Sequence, residues 1–189
     1  MNKSPIRMLI HEHKVILKVI AKCSTLIEQL SHGASVDSTL LARIVEFMQQ
    51  YADKSHHGKE EDLLFPAFEK AGVPSYGCPL AALRFEHKEG RRLVAMLKKA
   101  LQPTRKAVII KALIEIVDLY PNHIWKEEFL LFPLSKRLLS PKTREDLANA
   151  FELVDERFGC EAYKAYETFA RKASFSMTNR LRDTLLDLG

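Results

Sequence analysis

The sequence predicts an all-α protein: an up-down four-helix bundle with one additional helix at its C-terminal end. Three observations carry this. Among 189 residues there are only seven glycines and eight prolines, and the stretches between them repeat apolar residues with a helical period. The segment His56-His57-Gly58-Lys59-Glu60-Glu61-Asp62-Leu63-Leu64-Phe65-Pro66 aligns without gaps on His123-Ile124-Trp125-Lys126-Glu127-Glu128-Phe129-Leu130-Leu131-Phe132-Pro133, with eight of eleven positions identical. A shorter match precedes each copy, Glu12-His13-Lys14 before the first and Glu86-His87-Lys88 before the second. The chain reads as a duplicated pair of helices.

Helix 1 is expected from Pro5 to Ser31, with Ser4 placed to cap it and Pro5 in the first turn, where a missing N–H is tolerated. His32-Gly33 is a stop signal, which makes His32 a loop or C-cap residue. Helix 2 covers about Asp37 to Lys70, and Pro74 to Pro79 form a loop. Helix 3 runs from about Pro79 to Leu101 and stops at Pro103. Helix 4 runs from near Thr104 to Leu139, with Pro121 expected to bend it. Ser140-Pro141 opens a fifth helix reaching about Ala173, with Leu147, Phe151, Val154 and Phe158 as its apolar stripe. Short connections make neighbouring long helices antiparallel. The bundle then occupies residues 1–140, the packing helix 141–175 and a tail 176–189.

Bulk properties narrow the function. The net charge of +5 includes the pairs Arg91-Arg92, Lys98-Lys99 and Arg105-Lys106. No helix-turn-helix and no basic stripe interleaved with aromatics accompanies them, so a solvated surface is expected and no nucleic acid partner. No apolar run approaches the roughly 20 residues of a membrane span. The N-terminal residues show no apolar core of an export signal. Cys23, Cys78 and Cys160 are scattered without a C-x-x-C, which fits reduced thiols and a cytoplasmic location.

The chemistry lies in the repeat. His56 with Glu60, and His123 with Glu127, are four residues apart and share a helix face. Stepping back from His56 gives Ala52, Met48, Val45 and Leu41. Stepping back from His57 gives Asp53, Gln50, Glu46 and Arg43. The first stripe is core and the second is solvent, so His56 is expected inside, with His57 and Glu61 exposed or supporting. His13 shares a face with Leu9, Ile16 and Ile20, whereas His11 lies with Arg7, Lys14 and Lys18 and stays outside. His87 follows Leu80 and Leu83 and precedes Gly90 and Val94, again an inner face. At about 1.5 Å of rise per residue, four antiparallel helices bring these groups to one level. Hydrogen-bonded core pairs would leave two buried carboxylates uncompensated, which divalent cations would offset. Imidazole and carboxylate from four helices form the donor set of a two-metal site.

These motifs resemble the hemerythrin-like, or HHE cation-binding, family. The matching pieces are Glu12-His13, His56-x-x-x-Glu60 leading to Leu64-Phe65-Pro66, Glu86-His87, and His123-x-x-x-Glu127 leading to Leu131-Phe132-Pro133. The resemblance covers about residues 5 to 140. It implies a four-helix bundle binding two non-haem iron ions, oxo- or hydroxo-bridged, with His13, His56, Glu60, His87, His123 and Glu127 as metal ligands and both glutamates bridging. Oxygen-carrying relatives bear a further histidine one turn from the helix-3 ligand, where this chain has Leu83 and Arg91. Each metal is then expected to receive two histidines, His13 with His56 and His87 with His123. That symmetric set is similar to di-iron proteins linked to repair of iron centres after nitric oxide stress. The implied function is binding of, or reaction with, a small diatomic or peroxide ligand (O2, NO or peroxide). An iron-handling or iron- and oxygen-sensing protein acting through a partner is the alternative.

Overall fold

The computed structural model describes residues 4–76 and 79–172, and among them it is built of six helices and no strand. Helix α1 spans Pro5–Ser31 and is closed by His32, whose ring bonds the Glu28 carbonyl, and by Gly33 at φ +97°. Helix α2 starts at Ser38, where the Asp37 carboxylate accepts from the Leu40 N–H at 2.9 Å. It continues through Ser38–Phe47, Met48–His57, Glu60–Leu64 and Phe65–Lys70 without a break. Helix α3 is Leu80–Ala100. Helix α4 is Lys106–Lys126, running through Pro121, and is extended by Glu127–Leu131 and, after a turn, by Leu134–Leu138. Cys78 and the expected tail lie outside the described residues. No described helix is long and apolar enough to cross a membrane.

The expected single fifth helix is two. Helix α5 is Pro141–Phe158, capped by the Ser140 hydroxyl accepting from the Thr143 N–H at 3.0 Å. Gly159 then adopts φ +97°, a conformation that strains residues with a Cβ and ends a helix. Helix α6 follows over residues 160–172.

Two apolar layers fill the interior. One contains Leu9, Leu64, Phe65, Phe68, Leu80, Leu83, Leu131 and Phe132, and α5 closes it with Leu147 and Phe151. The other contains Ile16, Ile20, Phe47, Tyr51, Ala52, Leu93, Leu97, Leu113 and Tyr120, and α6 contributes Phe169 and Ala170. Each bundle helix passes from one layer to the other, and the residues it carries across the boundary are polar. In α1, His13 falls between Leu9 and Ile16; in α3, His87 falls between Leu83 and Leu93. A chain that buries apolar groups above and below is left with a layer of imidazoles and carboxylates between.

Candidate metal centre

All six residues singled out by the sequence lie in this layer, with relative exposures of 0% for His13, Glu60 and Glu127, 1% for His56 and His87, and 3% for His123. Their inward atoms converge. His13 Nε2 is 3.1 Å from Glu127 Oε2, and His123 Nε2 is 3.3 Å from Glu127 Oε1. Glu60 divides its oxygens in the same way, Oε1 lying 3.7 Å from His56 Nε2 and Oε2 3.5 Å from His87 Nε2. None of the four carboxylate oxygens has a hydrogen-bond partner. Buried polar atoms are nearly always paired, so four unpartnered carboxylate oxygens at one point mark a place that a cation could fill.

The outward nitrogens follow a second pattern, which the duplication explains. Glu12, on α1, holds His56 Nδ1 of α2 at 2.8 Å, and Glu86, on α3, holds His123 Nδ1 of α4 at 3.0 Å. In return Glu61, on α2, holds His87 Nδ1 at 2.6 Å, and Glu128, on α4, holds His13 Nδ1 at 2.8 Å. An Nδ1–H donating to a carboxylate fixes the tautomer and turns the Nε2 lone pair inward, the arrangement that orients and strengthens metal-binding histidines. Phe132 stacks on His13 at 5.5 Å between centroids, and its repeat counterpart Phe65 stacks on His87 at 5.7 Å.

The hemerythrin HHE cation-binding domain model matches residues 4–135. The chain belongs to this family. Cation binding follows from that membership, and helices α5 and α6 lie beyond the matched region. No curated protein and no solved structure matches the chain.

The protonation pattern of this HHE domain shows what a cation would relieve. Burial first, and then the charge of Glu127, push the Glu60 carboxyl well above the usual carboxylate range. Burial pushes Glu127 the same way, but the charge of His123 and the close imidazoles of His123, His13 and His87 outweigh it and hold Glu127 well below that range. Burial disfavours the His123 cation, yet Glu127 and then Glu86 raise it to about 9. His87 Nε2 and His123 Nε2 stand 3.0 Å apart. Two imidazole lone pairs at that distance require either a proton or a metal ion between them. His56 is held well below its ordinary value by burial and then by His13, so it presents a lone pair.

One expectation holds only in part. His57, read as exposed or supporting, is 2% exposed and faces the centre. Its ring stacks on His87 at 3.8 Å, and its Nδ1 lies 3.3 Å from Asp53. The donors of His57, Glu60, His87 and His123 form one group within 4.8 Å, and those of His13, His56, Glu60 and Glu127 form another. Met48–His57 is π-helical. Hydrogen bonding from i to i+5 widens the turn, so neighbours are separated by less than the roughly 100° of an α-helix. His56 and His57 both fit the inner face for this reason. The alternating three- and four-residue stepping that placed His57 with Gln50 and Glu46 does not hold across such a segment.

Two more π turns, Glu60–Leu64 and Glu127–Leu131, stand at matching places in the repeat. In each a phenylalanine N–H donates to the glutamate carbonyl five residues back, Phe65 to Glu60 and Phe132 to Glu127. Proline follows each phenylalanine and lacks an N–H, and its ring crowds the carbonyl four residues earlier, which favours the wider turn. The Phe-Pro pairs thus set the backbone that presents both glutamates. Other expectations hold. His11 has 63% of its side chain exposed and bonds Glu167, and Glu61 supports His87. Tyr120 lies 6.3 Å from the His57 ring, and the space left by Gly90 is the Tyr120 hydroxyl's, 3.0 Å from where a Cβ would stand.

Proposed function

We propose that the domain holds two iron ions, one between His13, His56, Glu60 and Glu127 and the other between His57, His87, His123 and the same glutamates, and that it binds or reacts with O2, NO or a peroxide. The observation supporting two ions is the division of each glutamate's oxygens between the two histidine sets. A single ion would not need both carboxylates to face both ways. Imidazole with carboxylate suits iron, which prefers about six donors. Bound there, the metals supply Lewis acidity and electron transfer to a small ligand.

The chain's own residues do the rest. Five imidazoles are oriented from outside by Glu128, Glu12, Asp53, Glu61 and Glu86. The apolar layers on either side exclude water, and near-complete burial of every donor limits access to small molecules. The two halves are unequal. Ile124, buried at the repeat position of His57, brings no donor to the His13–His56 half. A metal held by that half would therefore keep a coordination position free for an external ligand. The free thiols Cys23 and Cys160 suit a reducing compartment such as the cytoplasm.

The test is metal per chain in protein purified from iron-fed cells, followed by anaerobic spectra on adding O2, NO or peroxide. Two irons per chain and new ligand-dependent bands are expected. Saturation at one ion per chain would overturn the two-metal reading.

A further inference from the structure

The pseudo-symmetry of the centre is broken outside the matched domain. Lys59 and Lys126 occupy equivalent repeat positions and make equivalent bonds, Lys59 to Glu12 and Lys126 to Glu86. Lys126 has 38% of its side chain exposed, whereas Lys59 has none. Helices α5 and α6 make the difference. Asp155 of α5 accepts a second bond from Lys59 at 2.6 Å, and Tyr163 of α6 donates its hydroxyl to Glu12. The Phe151 and Tyr163 rings face the same ammonium at 6.0 and 5.6 Å. Glu12 thus receives three donors, His56 Nδ1–H, Lys59 and Tyr163, where Glu86 receives His123 and Lys126.

We infer that Asp155 and Tyr163 are positioning residues for the metal at the His13–His56 half, acting through Lys59, Glu12 and His56, so that the C-terminal helices tune one of the two metals and leave the other alone. The inference rests on the two-metal reading above. Its physics is local. A fully buried ammonium needs compensation from more than one acceptor. Without Asp155 it draws on Glu12 alone, which weakens the carboxylate's hold on His56 and removes a negative charge from beside a cation site. Without the Tyr163 hydroxyl, Glu12 loses one of the two bonds that orient its Oε1. Both changes act on the ring that presents Nε2 to the metal. The half concerned is the one with the free coordination position, so these helices bear on the metal that meets the external ligand.

The experiment uses the full chain with ferrous iron under anaerobic conditions, and cobalt(II) as a spectroscopic probe. Asp155→Asn and Tyr163→Phe keep side-chain shape and should fold, which circular dichroism of the apo proteins checks. Each should weaken one of two binding steps by about 10–100-fold, the usual effect of losing an outer partner of a histidine ligand. The cobalt(II) visible bands should change for that step only. The deciding readout is a double-mutant comparison. Asp155→Asn should have no further effect in a His56→Ala background and its full effect in a His123→Ala background. Unchanged affinities at both steps, or equal losses in both backgrounds, would show that the C-terminal helices only pack on the bundle. Two ions in the unmodified chain alongside either of those results would overturn this inference and leave the two-metal reading standing.

Discussion

Glu60→Gln should have opposite effects on the apo and metal-loaded protein. In the apo protein Glu60 is wholly buried, with neither oxygen hydrogen-bonded, and burial and Glu127 raise its carboxyl far above the ordinary value. A carboxyl held neutral in the fold but ionised in the unfolded chain binds an extra proton on folding. Its stability contribution is greatest below the unfolded value, near 4.3, and is lost as pH rises through the window above it. At pH 7 the loss is about 1.36 kcal/mol for each unit between 4.3 and 7, hence about 3–4 kcal/mol at most. Glutamine has the same shape and no proton to acquire. The apo variant should therefore match the parent near pH 4–5 and exceed it at pH 7 by up to about 3–4 kcal/mol, a rise in Tm of up to roughly 16 °C for a chain of this size. With ferrous iron the order reverses. The parent gains from binding, while the variant lacks a bridging carboxylate and gains little. Thermal melts of chelator-treated and iron-loaded protein at both pH values measure all four terms. An apo variant less stable than the parent at pH 7 would refute the reasoning, because Glu60 would then be paired or hydrated without metal.

Iron content under excess metal should fall in His13→Ala, His56→Ala and His57→Ala and stay at the parent value in His11→Ala, whose ring points outward; full iron in His57→Ala would return that residue to a supporting role. Burial, opposed only weakly by Lys22, pushes the Cys23 thiol up to about 12, so iodoacetamide at neutral pH should label exposed Cys160 and spare Cys23 in native protein, as peptide mass mapping would show. Phe151→Ala should cost about 3–5 kcal/mol through the cavity it leaves, seen as a fall in Tm of roughly 6–20 °C. A negligible fall would mean that α5 is not part of the cooperative unit, although Phe151 is 0% exposed and packs with Leu9, Leu64 and Phe68.

Residue order carried most of the fold. Pro5 and His32-Gly33 delimit α1 because a proline start and a glycine stop act locally, although Ser4 stands at the N-cap position without a side-chain cap bond. The division of the C-terminal helix was less legible. A lone glycine inside an amphipathic run is ordinarily tolerated, and only the backbone angle at Gly159 reveals that the helix turns there. The inward positions of the six candidate ligands followed from spacing and face, since both are properties of a regular helix. His57 did not, because a π turn changes the angle on which the face test depends. The trace it left was the adjacent His56-His57 pair. The outer carboxylates were visible as the doublets Glu12-His13, Glu86-His87, Glu60-Glu61 and Glu127-Glu128. Their crosswise use required knowing which helices are neighbours.

Duplication explains why such a layer is attainable. One helix pair carrying a histidine and a His-x-x-x-Glu supplies two imidazoles and one carboxylate, too few donors for two ions and too many polar groups for a core. Pairing it with its copy supplies the second carboxylate and lets one outer glutamate of each copy hold a histidine of the other, as Glu61 with His87 and Glu128 with His13 show. Strict symmetry would give two equivalent metals. The chain departs from symmetry at His57 against Ile124 and at the enclosed Lys59 against the open Lys126. One departure adds an imidazole to the His87–His123 half, and the other places the C-terminal helices behind the His13–His56 half. In a two-metal centre the first change would fill the coordination of one metal and the second would place the C-terminal helices behind the other. Together they would direct an incoming ligand to a single metal in an otherwise duplicated site.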